Sequence, residues 1–274
     1  MCCETCNFED NPISLINFNL LPISFSSKTN ENPNLTKSLE EMIKKSTLEH
    51  IISEDLSDLW KNLSPEEKRT VTDNFTILHY KKGQIIYAEQ EDPEYLWCLL
   101  KGKVKMYKSG IGDRIQILRL YRPVQYFGYR AYFAHEKYVS SCAAFEASVL
   151  GCIPMEVVEK LIRGNNDLAM FFIHELSRNL GGSDTKIVNL TQKHIRGRLA
   201  EALLLLADNY GLEDDEATLK IYMSREDLAN LSNMTTSNAI RTLTTFMAEK
   251  LILVDGRRIK ILNVPMLRKI SKFG

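Results

Sequence analysis

The chain lacks the signatures of several large functional classes. It has no phosphate-binding P-loop, no glycine-rich dinucleotide fingerprint, no nucleophile elbow and no His-Glu-x-x-His zinc motif, and these absences argue against an enzyme. A long hydrophobic run is also missing. Residues 13–25 are interrupted by Asn17, Asn19 and Pro22, and no Lys or Arg precedes Lys28. Neither a secretory signal nor a membrane span fits this pattern, so we expect a cytoplasmic protein with no membrane partner.

The chain also has no net charge and few cysteines. The 35 Lys and Arg residues balance 35 Asp and Glu, so the total charge gives no sign of a polyanionic partner. Six cysteines in 274 residues do not suggest a disulfide framework. In a reducing compartment, free thiols or metal ligands are expected instead.

The length allows about two domains, and the sequence divides into four segments. Residues 1–34 form an irregular extension that we expect to be poorly ordered. Residues 35–160 hold a helical lead-in and then short β-rich runs punctuated by glycines, which predict a sandwich or barrel. A long helix follows over 161–193, and residues 194–274 form the last domain. The clearest predicted strands are Ile85–Tyr87, Tyr95–Leu100, Val104–Tyr107 and Ile115–Leu120.

The long helix carries an apolar seam. Its length favours a dimerisation helix, and the alternative is a helix packed on its own domain. Gly181 and Gly182 interrupt the seam. Each destabilises the helix by about 1 kcal/mol relative to alanine, and the pair marks a close backbone approach or a hinge. The predicted dimerisation residues are Leu168, Phe172, Leu176, Leu180, Ile187 and Leu190.

Residues 224–243 predict two short helices joined by a tight turn. Ser224 can cap the first helix, with Asp227 completing a pair that resembles a capping box. Asn233 tolerates the left-handed conformation at the turn, and Thr235 can cap the second helix. This pattern is typical of a helix-turn-helix, whose second helix enters the major groove of DNA. The alternative is a helical hairpin with a merely solvated outer face.

The second helix is amphipathic. Ala239, Leu243 and Phe246 recur at helical spacing and should face the core. The opposite face is polar, includes Thr245 and is predicted to contact DNA. Its predicted DNA-binding residues are Thr235, Thr236, Ser237, Asn238, Arg241 and Thr242.

A β-hairpin should follow this helix. Two apolar, β-branched runs, 251–254 and 257–262, flank Asp255-Gly256, which is a strong hairpin signal. A hairpin in this place is the wing of a winged helix. Arg257, Arg258 and Lys260 would give the wing phosphate-binding charge.

A glycine-punctuated β-roll, one long helix and a C-terminal winged helix, in that order, resemble the Crp/Fnr family of bacterial transcription regulators. The match covers about residues 68–265, and Ile195–Leu204 and Ser224–Leu243 are its most specific pieces. The resemblance implies an α+β fold: a cyclic-nucleotide-binding-like β-roll (jelly roll), a dimerisation helix and a winged helix-turn-helix. It also implies a homodimer that binds a palindromic operator in double-stranded DNA. The resemblance leaves open whether RNA polymerase is a further partner.

Two departures from the family pattern concern ligands. The family's Arg-Glu pair near the start of the recognition helix falls on Thr236 and Ser237, while Arg241 matches the family's DNA-contacting arginine. Without that pair we expect a changed or looser sequence preference. The signature of cyclic-AMP binders, Gly-Glu and later Arg-Ser or Arg-Thr, falls on Gly128-Tyr129 and Ser140-Ser141. These four residues are the candidate effector pocket, but a phosphate there would lack its arginine, so no cyclic nucleotide is expected and the cofactor is unknown.

The cysteines leave a second sensor hypothesis open. Cys2, Cys3 and Cys6 resemble the N-terminal cluster of the family's oxygen-sensing branch, with Cys152 as the candidate fourth iron–sulfur ligand. Their spacing is tighter than in that branch, and Cys152 sits one strand position late, on the opposite face. Burial of Cys98, Cys142 and Cys152 as small hydrophobes is favoured. Haem remains a further alternative, although the five histidines form no ligand pair by spacing.

The leading hypothesis is therefore a sequence-specific, DNA-binding transcription regulator. The alternative is a sensor, of cyclic-nucleotide, iron–sulfur or haem type, that regulates a protein partner. That alternative rests on the β-roll alone and leaves the last third of the chain unexplained.

Overall fold

The computed structural model describes Leu59 and residues 61–273, apart from the side chain of Asp113. The predicted extension at 1–34, with Cys2, Cys3 and Cys6, lies outside the described residues. The first complete helix, α1 (Pro65–Asp73), begins at a capping box in which Ser64 and Glu67 bond each other's backbone N–H groups.

Two four-stranded antiparallel sheets form the β-roll. One has the order β1-β8-β3-β6 and the other the order β2-β7-β4-β5. The four strands predicted from the sequence are confirmed as β2 to β5. The strands are β1 (Thr76–Tyr80), β2 (Ile85–Tyr87), β3 (Tyr95–Lys101), β4 (Val104–Ser109), β5 (Ile115–Tyr121), β6 (Tyr126–Phe127), β7 (Ser141–Ala144) and β8 (Ser148–Pro154). A single 3₁₀ turn (Ile111–Asp113) joins β4 to β5, and a short helix α2 (Tyr129–Phe133) follows β6.

Both faces of β3 are buried, which explains its unbroken apolar sequence. Leu96, Cys98 and Leu100 pack toward the helices outside the roll. Trp97 and Leu99 point the opposite way, into the interior between the sheets. A strand covered on both faces reads as a continuous hydrophobic run instead of an alternating one.

A helical segment leads out of the roll. Helix α3 (Met155–Gly164) is followed by the 27-residue helix α4 (Asn166–Gln192), whose N-cap Asn165 accepts a hydrogen bond from the Leu168 backbone N–H. Helix α4 continues through Gly181 and Gly182, the two glycines that interrupt its apolar seam. Both glycines are exposed, and a Cβ atom added at either would meet no neighbour within 4 Å.

The C-terminal domain is a winged helix-turn-helix with one further helix. Its elements are α5 (Ile195–Tyr210), α6 (Arg225–Leu231), α7 (Thr236–Ala248), β9 (Ile252–Asp255), β10 (Arg258–Ile261) and α8 (Val264–Phe273). The sequence did not predict α8, which packs on α5. Residues 217–219 bridge to the hairpin, since Leu219 N–H donates to Ile259 O at 2.9 Å and Ile261 N–H donates to Ala217 O at 2.8 Å.

The β-roll and the winged helix share one hydrophobic core. Ile117, Leu120 and Phe145 of the roll belong to the same buried cluster as the winged-helix side chains. Lys105 on β4 and Asp227 on α6 form an ion pair at 2.9 Å across this boundary. The orientation of the C-terminal domain is therefore set by direct packing against β4 and β5.

Candidate nucleic-acid interface and effector pocket

Local hydrogen bonds build the helix-turn-helix as the sequence predicts. Ser224 Oγ accepts from the Asp227 N–H at 2.9 Å, and Thr235 Oγ1 accepts from the Asn238 N–H at 3.3 Å, so both helices are capped. Asn233 adopts φ 50 at the turn between them. These three predictions are confirmed.

Helix α7 buries one face and exposes the other. Ala239, Leu243 and Phe246 are buried, as predicted. Asn238 is half-buried, and its Oδ1 accepts from Arg241 Nη2 at 2.5 Å, which orients the guanidinium on the outer face. The exposed residues are Thr235, Thr236, Ser237, Ile240, Arg241, Thr244 and Thr245.

The prediction for Thr242 is wrong. This side chain is only 6% exposed, and its Oγ1 donates to the Asn238 carbonyl at 2.8 Å inside the helix. Thr242 lies three residues after Ala239 and four before Phe246, so it shares their buried face. A DNA backbone or base edge cannot reach its hydroxyl.

Sequence reasoning also missed two residues of the outer face, Ile240 and Thr244. Together with Thr236 they form a row at four-residue spacing, which places all three on one side of α7. The spacing was available in the sequence. Choosing DNA-binding candidates by polarity left out Ile240, whereas the four-residue spacing from Thr236 includes both Ile240 and Thr244.

The wing has a two-residue tip. Asp255 pairs with Arg258, leaving Gly256 and Arg257 as the loop, with φ 54 at the glycine. Arg257 and Arg258 are exposed as predicted, and the Arg258 guanidinium lies 5.4 Å from the centre of the Tyr222 ring. The cationic tip therefore projects into solvent.

Arg225 is a further cation of this surface that the sequence analysis missed. Its Nη2 donates to the Gly256 carbonyl at 2.8 Å, which ties the start of α6 to the tip of the wing. This contact joins residues 31 positions apart, and no local sequence pattern predicts it.

The structure gives Lys260 an ion-pair partner that the sequence did not predict. Its Nζ lies 3.1 Å from Asp215 Oδ2, so its charge is already balanced in the free protein. Hydrogen bonds from Thr218, then from Lys260 and Ala217, hold the pKa of Asp215 well below its usual range. Lys260 thus fastens the 215–218 loop to the root of the wing.

The four candidate effector residues have different surroundings. Gly128 (φ 93) caps α2, and a Cβ there would lie 2.7 Å from Trp97 Cδ1. Tyr129 packs instead against α4, where its hydroxyl accepts from Asn179 Nδ2 at 3.2 Å. Ser140 is buried, and Ser141 Oγ accepts from the Glu89 N–H at 2.9 Å. The prediction of a shared pocket is therefore wrong for Tyr129.

Aromatic side chains fill the interior of the β-roll. Tyr87 and Tyr138 stack with ring centroids 3.8 Å apart, and Tyr121 and Phe127 stack at 4.6 Å. Burial raises the pKa of Tyr138 and of Tyr87, so these phenols stay neutral. The arrangement offers aromatic stacking surface in the interior of the β-roll.

Two cations connect the outer edge of the roll to α4. Arg119 on β5 donates to the Asn179 carbonyl and to Ser183 Oγ, each at 3.1 Å. Lys186 Nζ donates to the carbonyls of Ile117 and Leu118 at 3.1 and 2.9 Å. Burial, with the nearby Arg119 charge, lowers the pKa of Lys186 to about 8.

The apolar seam of α4 has two faces. Leu168 and Phe172 are buried against the β-roll of their own chain, so assigning them to a dimer interface is wrong. Leu176 and Leu190 are half-buried. A separate face of α4, which we call the α4 apolar face, is open to solvent and consists of Met170, Ile173, Leu180, Ile187 and Val188.

Cys98, Cys142 and Cys152 are buried, as the sequence favoured. Burial raises the pKa of Cys142 and Cys152, which disfavours the thiolate that ligates a metal. Between Leu59 and Phe273, the described residues contain no group of three or more His, Cys, Asp or Glu that could hold a metal ion. Nor does this part contain a helix with the length and hydropathy of a membrane span.

Comparison with known proteins identifies the two halves. Residues 77–165 match the cyclic nucleotide-binding domain model, and residues 197–270 match the Crp-like helix-turn-helix domain model. A CRP-like cAMP-activated global transcriptional regulator of Mycobacterium tuberculosis is 20% identical, over 74% of this chain and 91% of its own. The global nitrogen regulator of Synechococcus elongatus is 24% identical, over 68% and 86%.

Solved structures show the same fold. FixK2 from Bradyrhizobium japonicum superposes with a TM-score of 0.66 at 22% identity, over 72% of this chain and 97% of that one. A putative regulator of the crp/fnr family from Eubacterium rectale gives 0.66 at 21%, over 78% and 97%. The predicted fold class is thus confirmed. With a cyclic-nucleotide-binding-like β-roll, a long helix and a helix-turn-helix DNA-binding domain in this order, the chain belongs to the Crp/Fnr family of transcription regulators.

Proposed function

We propose that the protein acts as a homodimer on a palindromic DNA operator, which it reads with α7 and grips with the wing. The observation that carries this proposal is the exposure of the N-terminal part of α7 beside its tightly buried opposite face. Thr235, Thr236 and Ser237 are suited to phosphate or base contacts, and Arg241 supplies a bidentate donor.

The wing supports this proposal through its charge. Arg257 and Arg258 are exposed at the hairpin tip, and Arg225 holds that tip against the start of α6. Cations on a hairpin next to a recognition helix fit the phosphates that flank the groove. The wing would therefore set the register of the protein on DNA without reading the sequence.

The α4 apolar face supports the homodimer. Ile173, Leu180 and Ile187 follow one another at seven-residue spacing and are 50%, 65% and 61% exposed. This heptad spacing is that of a coiled-coil seam, and a second copy of the same face is its natural complement. A two-fold axis along α4 would present two recognition helices to a palindromic site.

We further propose that the effector of the β-roll is not a cyclic nucleotide. Neither Tyr129 nor Ser140 and Ser141 provides the charge that a cyclic phosphate needs, and stacked tyrosines occupy the interior. The Mycobacterium tuberculosis relative is named as cAMP-activated, and this chain would differ from it in its signal.

The test uses the full chain and an operator selected from random double-stranded DNA. Arg241→Ala should weaken operator binding by about 1–3 kcal/mol, or roughly fivefold to 150-fold, if this arginine reads a base. Arg163→Ala is the matched control, since that exposed arginine lies on α3, outside the winged helix. Fluorescence anisotropy titrations compare the three proteins. Equal affinity of Arg241→Ala and the unmodified protein would contradict the proposal.

A further inference from the structure

Ile240 is a large apolar side chain on the otherwise polar outer face of α7. It is 48% exposed, and its helical neighbours on that side are Thr236 and Thr244, with Arg241 next in the chain. A β-branched residue is a poor choice for an exposed helix position on helix propensity alone. Its exposed side chain leaves apolar surface on this face available to a ligand.

The position of Ile240 limits what that contact can be. Ile240 is the fifth residue of α7, in the N-terminal half that a helix-turn-helix places against base edges. Ala239 and Leu243 anchor this turn of the helix in the core, so Ile240 cannot rotate inward. On the proposed function, the side chain therefore meets the floor of the major groove.

The chemistry of the groove then selects the base. An isoleucine neither donates nor accepts a hydrogen bond, so it cannot satisfy the polar edges of guanine, adenine or cytosine. The C5-methyl group of thymine is the apolar group that the major groove displays. We propose that Ile240 is a specificity-determining residue that selects a T·A pair through the thymine methyl, next to the base read by Arg241.

Other exposed apolar residues of this domain do not share this setting. Leu253 lies on β9, and Leu262 follows β10. Among the exposed large apolar side chains of the described winged helix, Ile240 alone lies on α7, where it precedes Arg241 in the chain. The pairing of one arginine with one isoleucine predicts a half-site in which a guanine and a thymine are the strongly selected bases.

The experiment removes only the methyl group. In the selected operator, each thymine of both half-sites is replaced in turn by deoxyuridine, and binding of the full chain is measured by anisotropy. At one thymine position the unmodified protein should lose about fourfold in affinity per half-site, the value of one buried methyl group. Ile240→Ala should bind the thymine and deoxyuridine operators equally. Thr244→Ala is the control and should keep the methyl dependence.

A gain-of-contact arm completes the design. When cytosine occupies that position, 5-methylcytosine should restore affinity for the unmodified protein and leave Ile240→Ala unaffected. Equal losses for Ile240→Ala and the unmodified protein, or no thymine position sensitive to deoxyuridine, would overturn this inference while leaving the DNA-binding proposal intact. Failure to select any operator, with no dependence on Arg241, would instead overturn the proposed function on which the inference rests.

Discussion

At the scale of single residues, the most informative side chains are those whose partners lie far away in sequence. Arg119 looks like a solvent-facing strand residue, yet it contacts Asn179 and Ser183 some 60 positions later. Lys186 looks like a surface position of α4, yet it reaches two carbonyls of β5. Caps and turns, such as Ser224, are predictable because their partners are three residues away. Long-range polar partners leave no such signal.

Lys186 yields a pH prediction. Because its folded pKa is about 8 and the usual lysine pKa is 10.5, the folded state releases this proton at lower pH than the unfolded state. The free energy of unfolding should therefore rise between about pH 8 and pH 10.5, by at most about 1.4 kcal/mol per unit of pKa difference. Lys186→Met should lack this rise. Urea unfolding of both proteins at pH 7.5 and pH 10 measures it.

The contribution of other titrating groups cancels when Lys186→Met is compared with the unmodified protein, since the buried tyrosines are common to both. Arg178→Met, at an exposed position of the same helix, is the control and should keep the rise. A parallel pH dependence in Lys186→Met and the unmodified protein would show that the ammonium is solvated.

At the scale of elements, periodicity predicted the recognition helix because one side of it is buried. Glycine-bounded β-rich runs predicted the strands, including β3, which is buried on both faces. For α4, which is apolar on two sides, the sequence pattern was insufficient. Helix α4 packs Leu168 and Phe172 on its own roll and exposes Ile173 and Leu180, so the predicted seam merged two faces. Thr242 illustrates the opposite error, a polar residue on a buried face. In both cases, the packing partner decided the outcome.

The α4 apolar face gives a prediction at this scale. Leu180→Glu should dissociate the proposed dimer, because two carboxylates would be brought together at the centre of the seam. Thr185→Glu is the matched control, since that exposed residue is separated from Leu180 by five positions and lies off the heptad seam. Sedimentation equilibrium at micromolar concentration measures the mass. A monomeric unmodified protein, or a dimer that persists in Leu180→Glu, would contradict this use of the face.

At the scale of the whole molecule, the order of domains followed from composition and motifs, but their docking did not. Lys105 and Asp227 pair across 122 residues, and Gln116 Nε2 lies 3.5 Å from the Leu231 carbonyl. Tyr210 also donates its hydroxyl to the Tyr121 carbonyl at 3.1 Å. The turn between β4 and β5 borders a shallow cleft with the helix-turn-helix on its other side. Such contacts depend on how two folded surfaces fit, and no local pattern in either segment encodes that fit.

The Lys105–Asp227 pair supports a prediction about docking. Burial would raise the pKa of Asp227, but hydrogen bonds from Ser224 and Lys105 outweigh it, and the pKa lies below its usual 3.8. The stabilisation is therefore present above pH 3.8 and is lost as the pH falls through the lower, folded pKa. With the two side chains 23% and 20% exposed, a double-mutant cycle of Lys105→Met and Asp227→Asn should give a coupling of about 1 kcal/mol at pH 7.

The same variants report on function. Asp227→Asn keeps an oxygen that accepts the hydrogen bond from the Ser224 hydroxyl, and it removes the charge that faces Lys105. If docking of α6 on β4 holds the recognition helices at operator spacing, each single variant should lose operator affinity by about the same free energy as it loses stability. Lys108→Met serves as the control, since its ion pair with Glu89 at 2.9 Å lies wholly within the β-roll. A coupling near zero, with operator affinity unchanged, would mean that the hydrophobic contacts of Ile117, Leu120 and Phe145 set the domain orientation without the ion pair.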